Sequence, residues 1–315
     1  MERIVFLERD TLKADFRRPA FAHEWKEYGW TSPDEIVERL SDASICICNK
    51  VRLREAELSQ LPRLRFIAVA ATGVDNVDLD YCRNHSIAVS NVRNYARHAV
   101  AEHVFTLTLA LRRNLISYRR DVRDGAWQRA TEFCLLNHQI QDLHGSTLGI
   151  IGYGSLGQAV AKLAAPFGMR LLVSERKNAR TIREGRTSFS ELLRASDIVS
   201  LHCPLTDETR NLIGAAEFEL MRPGALLINT ARGGLVCESD LVQALLAGKI
   251  GGAGFDVLTK EPPRDGNPLL ELDLPNFILT PHVAWASTDA MQALADQVIE
   301  NIEAYLSGAP RNLLT

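Results

Sequence analysis

The segment from Thr147 to Glu175 constrains the fold more than any other part of the sequence. It begins with an apolar run, passes through the glycine pattern of Gly152, Gly154 and Gly157, and ends in a second apolar run. A buried strand, a tight glycine turn, a helix and a second strand follow each other in this order in a βαβ unit. The pattern therefore predicts the start of an open parallel sheet that binds a dinucleotide.

The three glycines have separate parts in this interpretation. Gly152 allows the tight turn, Gly154 lets the backbone approach a pyrophosphate, and Gly157 lets the helix pack close to the strand. The amides of Ser155 and Leu156 then lie at the helix N-terminus, where the helix dipole favours a phosphate group.

The coenzyme itself is indicated by the residues after the second apolar run. Glu175 follows the last glycine at a spacing close to the roughly 20 residues at which a carboxylate binds the ribose hydroxyls. This carboxylate would repel a 2′-phosphate, which favours NAD. Arg176 and Lys177 follow directly and could pair with such a phosphate, so use of NADP stays open.

The rest of the chain repeats the alternation of strand and helix patterns. In the first hundred residues, strands are predicted at "RIVFLE", "ASICICN", "LRFIAVAATG" and "SIAVSNV", and a helix at "SPDEIVERLSDA". From Ser146 onward, six further strands end in turns, from "TLGIIG" to "FILTP". With 315 residues, the chain is long enough for two α/β domains, the second being a doubly wound parallel sheet.

Two segments outside this alternation have patterns of their own. Residues 98–122 contain no glycine or proline and predict one long, largely buried helix, followed by an irregular arm at 125–145. Near the end, "STDAMQALADQVIENIEAYLSG" predicts an amphipathic helix with Ser287 or Thr288 as its N-cap and Gly308 after its end. This helix could return to the first domain.

Composition limits the partners and the location. The net charge is -3, so no bulk field favours nucleic acid, and no apolar run reaches the roughly 18 residues that a membrane span requires. The first ten residues hold too few apolar side chains for a signal peptide. Six cysteines without a CxxC pair indicate reduced thiols and no zinc site. We therefore expect a cytoplasmic protein without a metal, a nucleic-acid partner or a membrane anchor.

Candidate catalytic residues stand just after the predicted strands of the second sheet. Arg232 follows "LLINTA", Asp256 and Glu261 follow "GAGF", and His282 follows "FILTP". A single histidine in a turn is usually a satisfied polar group, and a single arginine or glutamate is usually a surface charge. Ligands of such sheets bind beyond the carboxyl ends of the strands, however, so these side chains can converge.

Their chemistry suits hydride transfer between a coenzyme and an alcohol. Oxidation of an alcohol needs a base for the hydroxyl proton and the reverse reaction needs an acid, and a histidine serves both. A carboxylate beside the ring holds its tautomer, and an arginine binds a substrate carboxylate through two parallel hydrogen bonds. Asp256 could hold the coenzyme carboxamide.

Over almost its full length, the chain resembles the D-isomer-specific 2-hydroxyacid dehydrogenases. The motifs that carry the resemblance are "GIIGYGSLG", "HCPLTDETRNLI", "LINTARGGLV", "GAGFDVLTKEPP" and "TPHVAW". The resemblance implies that Arg232, Glu261 and His282 form the catalytic set, with His282 as the acid–base. It implies contacts with the nicotinamide half from Asp256 and the stretch Thr230, Ala231 and Arg232, and contacts with the adenine from Cys203, Pro204 and Thr209.

The resemblance also implies a domain arrangement. A Rossmann-type domain, residues 99–286 with a dimerisation helix and arm, would be inserted into a smaller flavodoxin-like substrate domain formed by residues 1–98 and 287–315. In "AATGVDNVDL", the amides of Ala71, Thr72, Gly73 and Val74 would bind the substrate carboxylate together with Arg232. The active site would lie in the cleft, and family members are commonly homodimers.

Within the family, the closest resemblance is to the glycerate dehydrogenases, or hydroxypyruvate reductases, in "NKVRLREAELSQLP", "IAVAATGVDNVDL" and "TPHVAWAS". We therefore expect reduction of hydroxypyruvate to D-glycerate and the reverse. Glyoxylate and phosphoglycerate remain alternatives, the latter weakened because the chain has no added regulatory domain. Formate dehydrogenases carry a glutamine at the position of Glu261, which argues against them. A corepressor-like NAD-sensing protein is the alternative outside enzymes, and Trp285 could either pack a hinge or shape the pocket.

Overall fold

The computed structural model describes residues 1–315, and the chain divides into two compact units. Met1–Ala96 and Ala286–Thr315 form the first unit, and Arg97–Trp285 forms the second, which is inserted between the two segments of the first. None of the helices is long and apolar enough to cross a membrane.

Eleven strands and ten helices build these units. The strands are β1 (Glu2–Phe6), β2 (His23–Glu27), β3 (Ile45–Cys48), β4 (Phe66–Val69), β5 (Ala88–Ser90), β6 (Thr147–Ile151), β7 (Arg170–Val173), β8 (Ile198–Leu201), β9 (Leu226–Asn229), β10 (Gly252–Phe255) and β11 (Phe277–Leu279). The helices are α1 (Ile36–Leu40), α2 (Glu55–Leu58), α3 (Leu79–Asn84), α4 (Arg97–Arg112), α5 (Leu115–Arg123), α6 (Ser155–Ala164), α7 (Phe189–Ala195), α8 (Ala215–Leu220), α9 (Glu238–Leu246) and α10 (Thr288–Leu306).

Both sheets are parallel throughout, and the predicted fold class is confirmed. The first unit has the order β2-β1-β3-β4-β5, which is the flavodoxin-like order. The second has the order β11-β10-β9-β8-β6-β7, so the strand order reverses between β6 and β8. Every residue of the strands "ICIC", "FIAV", "TLGII" and "LLIN" is buried, as parallel strands covered on both faces require.

Strand β2 was not predicted. Its sequence, "HEWKE", is mostly polar, and none of its side chains is buried. Strand β2 pairs with β1 alone and lies at the edge of its sheet. Charged side chains on an edge strand keep it from pairing with another chain, but they also remove the apolar run that identifies a strand.

The prediction of one long helix over residues 98–122 is wrong. The helix divides into α4 and α5 because Asn114 adopts a left-handed backbone conformation with φ of 50°. Asparagine tolerates this conformation, and the Asn114 side-chain amide donates to the carbonyl of Gln139 over 2.6 Å. Helix α4 is largely buried, whereas α5 buries only Ser117.

Helix α10 begins and ends as its sequence predicts. The side chain of Ser287 accepts a hydrogen bond from the amide of Ala290, and Gly308 has φ of 77° just past the last turn. Within the first unit, α10 packs on β4, where the rings of Phe66 and Tyr305 stack with their centroids 4.3 Å apart.

The switch point of the first sheet, between β1 and β3, is closed by a side chain of the protein. One carboxylate oxygen of Glu8 accepts hydrogen bonds from the amides of Asn49, Lys50 and Val51 at 2.8 to 2.9 Å. Glu8 follows β1 and these amides follow β3, so they meet where sheets of this order bind ligands. Glu8 is fully buried and fills that position itself.

Candidate active site and coenzyme site

The turn after β6 has the shape that a pyrophosphate requires. Gly152 has φ of 95°, and a Cβ there would lie 2.5 Å from the backbone nitrogen of Cys203. A Cβ on Gly157 would lie 2.2 Å from the carbonyl oxygen of Gly152. By contrast, a Cβ on Gly154 would meet nothing within 4 Å. The first and third glycines are therefore required by packing, while Gly154 faces open space at the N-terminus of α6, where a phosphate group fits.

A cavity of about 660 Å³ adjoins this turn at the switch point between β6 and β8. Its lining includes Gly152, Glu175, Arg176, Cys203, Pro204 and Thr209, which are residues that the sequence predicts to bind the coenzyme. The hydroxyl of Thr209 donates to the carbonyl of Pro204 over 2.7 Å and thereby fixes the loop after β8. The apolar side chains of Phe189 and Leu212 complete a surface that suits an adenine ring.

Glu175 has a partner that the sequence did not predict. Its two carboxylate oxygens accept two hydrogen bonds from Arg183, each 2.6 Å long, and the amide of Arg176 adds a third at 3.0 Å. These contacts, the Arg183 guanidinium first, lower the pKa of Glu175 to about 2. Arg183 lies in a loop, and an arginine in a loop carries no spacing signal that would connect it to Glu175.

At the other end of the predicted coenzyme site, Thr230 has an unsatisfied hydroxyl. Its Oγ1 atom is buried and has no hydrogen-bond partner, directly after β9 and beside the buried Ala231. A buried polar group without a partner is costly, so such a group points to a ligand that supplies one. The open space at Gly154 and this hydroxyl both fit a bound dinucleotide.

His282 and Glu261 are brought together by the loops after β11 and β10. The Nδ1 atom of His282 lies 2.5 Å from Oε2 of Glu261, and the other oxygen of Glu261 accepts from the amide of Leu258 over 2.7 Å. No group of the protein forms a hydrogen bond with Nε2 of His282, and both side chains are about one third exposed (31% and 32%). The ring therefore has one nitrogen fixed by a carboxylate and the other available.

The turn that carries His282 is built around the carboxylate of Asp256. The carboxylate accepts hydrogen bonds from the hydroxyl of Thr280 at 2.5 Å and from the amides of Val283 and Ala284 at 2.9 and 2.8 Å. The amide of His282 also donates to the carbonyl of Asp256 over 2.8 Å. Asp256 is 1% exposed, so its carboxylate is first of all an internal support of this turn.

Trp285 contacts the same turn, since its indole nitrogen donates to the carbonyl of His282 over 3.0 Å. Arg232 stands after β9, which is next to β10 in the sheet, so it lies at the same sheet edge as Glu261 and His282. Its guanidinium donates to the carbonyl of Ala231 over 2.7 Å, and its side chain is not drawn into the His282–Glu261 pair.

The predicted substrate loop lies in the first unit, after β4. Its shape is held by the hydroxyl of Thr72, which donates to the carbonyl of Val92, and by the side-chain amide of Asn91, which donates to the carbonyl of Thr72, each over 2.8 Å. The backbone amides of Ala71, Thr72, Gly73 and Val74 donate no hydrogen bond within the protein. Successive free amides in a turn suit an anion such as a carboxylate.

The family is decided by comparison with known proteins. Residues 105–284 match the model of the D-isomer specific 2-hydroxyacid dehydrogenase, NAD binding domain. Over 99% of both chains, the sequence is 50% identical to the glycerate dehydrogenase of Methylorubrum extorquens. The chain belongs to the D-isomer specific 2-hydroxyacid dehydrogenase family. The resemblance in the sequence motifs is thus confirmed, and the protein is an NAD-dependent dehydrogenase.

Further relatives agree with this membership. The dehydrogenase is 34% identical to the hydroxypyruvate reductase of Blautia hydrogenotrophica, over 90% of this chain and 88% of that one. The crystal structure of the TT0316 protein from Thermus thermophilus superposes with a TM-score of 0.85 at 34% identity, covering 99% of this chain and 100% of that one. Both sheets are therefore accounted for by one family fold.

Proposed function

We propose that the dehydrogenase reduces hydroxypyruvate to D-glycerate and catalyses the reverse reaction, with NADH as the preferred coenzyme. The glycerate dehydrogenase that it resembles at 50% identity supports the substrate. The observation that carries the chemistry is the 2.5 Å contact between His282 and Glu261, which leaves the second ring nitrogen available.

The proton chemistry follows from this contact. A carboxylate only accepts hydrogen bonds, so Nδ1 of His282 holds a hydrogen toward Glu261, and the exchangeable proton is the one on Nε2. During reduction, the imidazolium gives this proton to the oxygen on C2 of the 2-keto acid. During oxidation, the neutral Nε2 atom accepts the hydroxyl proton, and Glu261 stabilises the imidazolium that forms.

The substrate carboxylate needs donors that the chain can supply. We assign Arg232 to the carboxylate or the carbonyl of the substrate, because a guanidinium offers two parallel donors. The free amides of Ala71, Thr72, Gly73 and Val74 provide further donors for the carboxylate. A short, polar substrate such as hydroxypyruvate is bound well by backbone donors of this kind.

When bound, the nicotinamide supplies or accepts the hydride at C2 of the substrate. The pyrophosphate of the coenzyme would be held at Gly154 and by the amides of Ser155 and Leu156. Glu175 would accept hydrogen bonds from the adenosine ribose, and the hydroxyl of Thr230 would bind near the nicotinamide. These roles use the open space, the sheet edge and the unsatisfied hydroxyl described above.

A substrate panel tests the proposal. Purified protein with NADH is given hydroxypyruvate, glyoxylate, 3-phosphohydroxypyruvate or pyruvate, and absorbance at 340 nm is followed. We expect the highest kcat/KM with hydroxypyruvate and a product of D configuration. A higher value with glyoxylate or the phosphorylated acid would assign that substrate instead. If the protein bound NADH but turned over none of these acids, the proposed reaction would be refuted and the corepressor-like alternative favoured.

His282→Asn provides the mechanistic arm of the same experiment. A general acid–base contributes about 10²- to 10⁴-fold, so kcat should fall by at least about a hundredfold while NADH binding persists. His85→Asn is the matched control, because His85 is an exposed histidine located before β5, outside the proposed site. A loss of kcat in His282→Asn of less than about tenfold would remove the acid–base role.

We also propose that the dehydrogenase is a cytoplasmic homodimer that associates through α5 and the arm at 125–145. Large apolar side chains are exposed there: Phe133 (90% exposed), Leu136 (84%) and Trp127 (52%) in the arm, and Leu115 (57%) on α5. Exposed apolar side chains of this size are costly in water, and they support the proposed association surface. All six cysteines are free, which is the state that the reducing cytoplasm maintains.

A further inference from the structure

We propose that His103 is a positioning residue of the dehydrogenase, which holds the turn of His282 in place through Thr280 and Asp256. His103 lies on α4, outside every motif that the family resemblance or the proposed mechanism uses. Its Nε2 atom is 3.0 Å from the hydroxyl oxygen of Thr280. The proposal rests on the proposed function, since it takes His282 as the acid–base.

The direction of each hydrogen bond in this chain follows from counting protons. The Thr280 hydroxyl has one hydrogen, and its oxygen lies 2.5 Å from a carboxylate oxygen of Asp256, which only accepts. The hydroxyl hydrogen is therefore committed to Asp256. The contact with His103 is then a hydrogen bond only if His103 donates, so its ring carries a hydrogen on Nε2. The hydrogen bonds therefore run from His103 to Thr280 and from Thr280 to Asp256, with the carboxylate as the final acceptor.

The carboxylate at the end of this chain has no lysine or arginine partner. It is 1% exposed, and Nε2 of His103 lies 3.8 Å from Oδ1 of Asp256. A buried carboxylate is stable only when its oxygens receive enough hydrogen bonds. The hydrogen bond from His103 strengthens the Thr280 hydroxyl as a donor and so helps to hold the Asp256 carboxylate in position.

The geometry of the turn explains why this support matters for His282. His282 has φ of 57°, in the left-handed region, which is unfavourable for a residue with a Cβ. The conformation is maintained by the hydrogen bonds from the amides of Val283 and Ala284 to Asp256. If Asp256 tilts, the turn relaxes and the imidazole loses its alignment, and a displacement of about 1 Å can cost a hundredfold in rate.

Helix α4 is a suitable support because it is rigidly packed. It lies against α6 and against strands β9, β10 and β11 of its own unit. A Cβ on Gly254 would be only 2.9 Å from Cβ of Leu107, so the missing side chain lets the helix approach β10 closely. His103 is one turn away from Leu107 and 18% exposed, which fixes the ring between the helix and the end of β11.

A double-mutant cycle tests the proposal. His103→Leu removes the donor, His103→Gln restores an N–H donor at a similar reach, and Thr280→Val removes the hydroxyl at constant shape. We expect His103→Leu to lower kcat about tenfold with KM for NADH changed less than about threefold, and His103→Gln to recover most of kcat. The double variant His103→Leu/Thr280→Val should be no worse than Thr280→Val alone, because both changes break one chain.

Amide hydrogen exchange provides a readout that needs no turnover. The amides of residues 282–285 should exchange faster in His103→Leu than in the wild type, and at the wild-type rate in His103→Gln, with similar melting temperatures. Additive losses in the double variant, equal losses in the Leu and Gln variants, or unchanged exchange would overturn the positioning role. If the wild type turned over no 2-keto acid, the proposed function would fail, and the exchange data would still decide the role of His103.

Discussion

His202 should make the dehydrogenase sensitive to acid in a way that can be measured. This residue follows β8 and packs behind the coenzyme turn, where its Nε2 contacts the hydroxyl of Ser200 over 2.8 Å. Its Nδ1 atom is inaccessible to water and has no partner, although part of the residue is exposed. Burial lowers the pKa of His202 from 6.5 to about 4. The fold therefore requires the neutral ring.

The sign and size of the effect follow from linkage. Between these two pKa values the unfolded chain binds a proton that the folded chain does not, so stability falls as the pH falls. The contribution of the neutral ring is complete above pH 6.5 and is lost progressively as the pH approaches 4. With the two pKa values above, the loss between about pH 7.5 and about pH 5.0 amounts to about 2 kcal/mol.

The assay compares His202→Gln with the wild type. The free energy of unfolding in urea is measured at both pH values without coenzyme, in a background in which both tryptophans of the first unit are replaced by phenylalanine. Fluorescence then reports the second unit, and the acid-induced loss should be about 2 kcal/mol smaller in the variant. His144→Gln, at an exposed histidine of the same unit, should lose as much as the wild type. Equal losses in wild type and His202→Gln would refute the reasoning.

Three further predictions concern the reaction, the coenzyme and the assembly. Glu261→Gln should lower kcat for reduction about tenfold or more, because an amide stabilises the imidazolium of His282 less than a carboxylate does; an unchanged kcat would show that Glu261 does not support His282. Glu175→Ala should raise KM for NADH more than for NADPH. Arg183→Ala should weaken the binding of NADPH relative to that of NADH, because the substitution leaves the negative charge of Glu175 uncompensated. Equal changes for both coenzymes would contradict these roles. Leu136→Asp should give monomers in analytical ultracentrifugation, and a persistent dimer would show that the arm does not form the dimer interface.

The sequence was sufficient for most of the fold because buried parallel strands are apolar on both faces. Runs such as "ICIC" and "TLGII" carry that signal within a few residues. The errors occur where the signal is not local. The break between α4 and α5 depends on a hydrogen bond from Asn114 to Gln139, far along the chain. The edge strand β2 depends on pairing with β1, and its own residues are mostly polar.

The candidate site divides in the same way. That Arg232, Glu261 and His282 lie at one sheet edge follows from strand order, which the sequence predicts. The 2.5 Å contact of His282 with Glu261, by contrast, depends on the conformations of two loops. The pairing of Arg183 with Glu175 and the donor chain through His103 join residues that no local pattern connects. The sequence thus predicts where the catalytic residues lie, whereas the contacts that orient them arise only in the folded protein.

The two sheets show why topology alone does not assign a site. In each sheet the strand order reverses next to the first strand, so each sheet has a switch point where a ligand can bind. In the first sheet, the carboxylate of Glu8 takes up three backbone amides at that point and occupies it. In the second, Gly154 leaves open space at the corresponding point. The first sheet thus fills its switch point with a carboxylate of its own, whereas the second leaves room there for a dinucleotide.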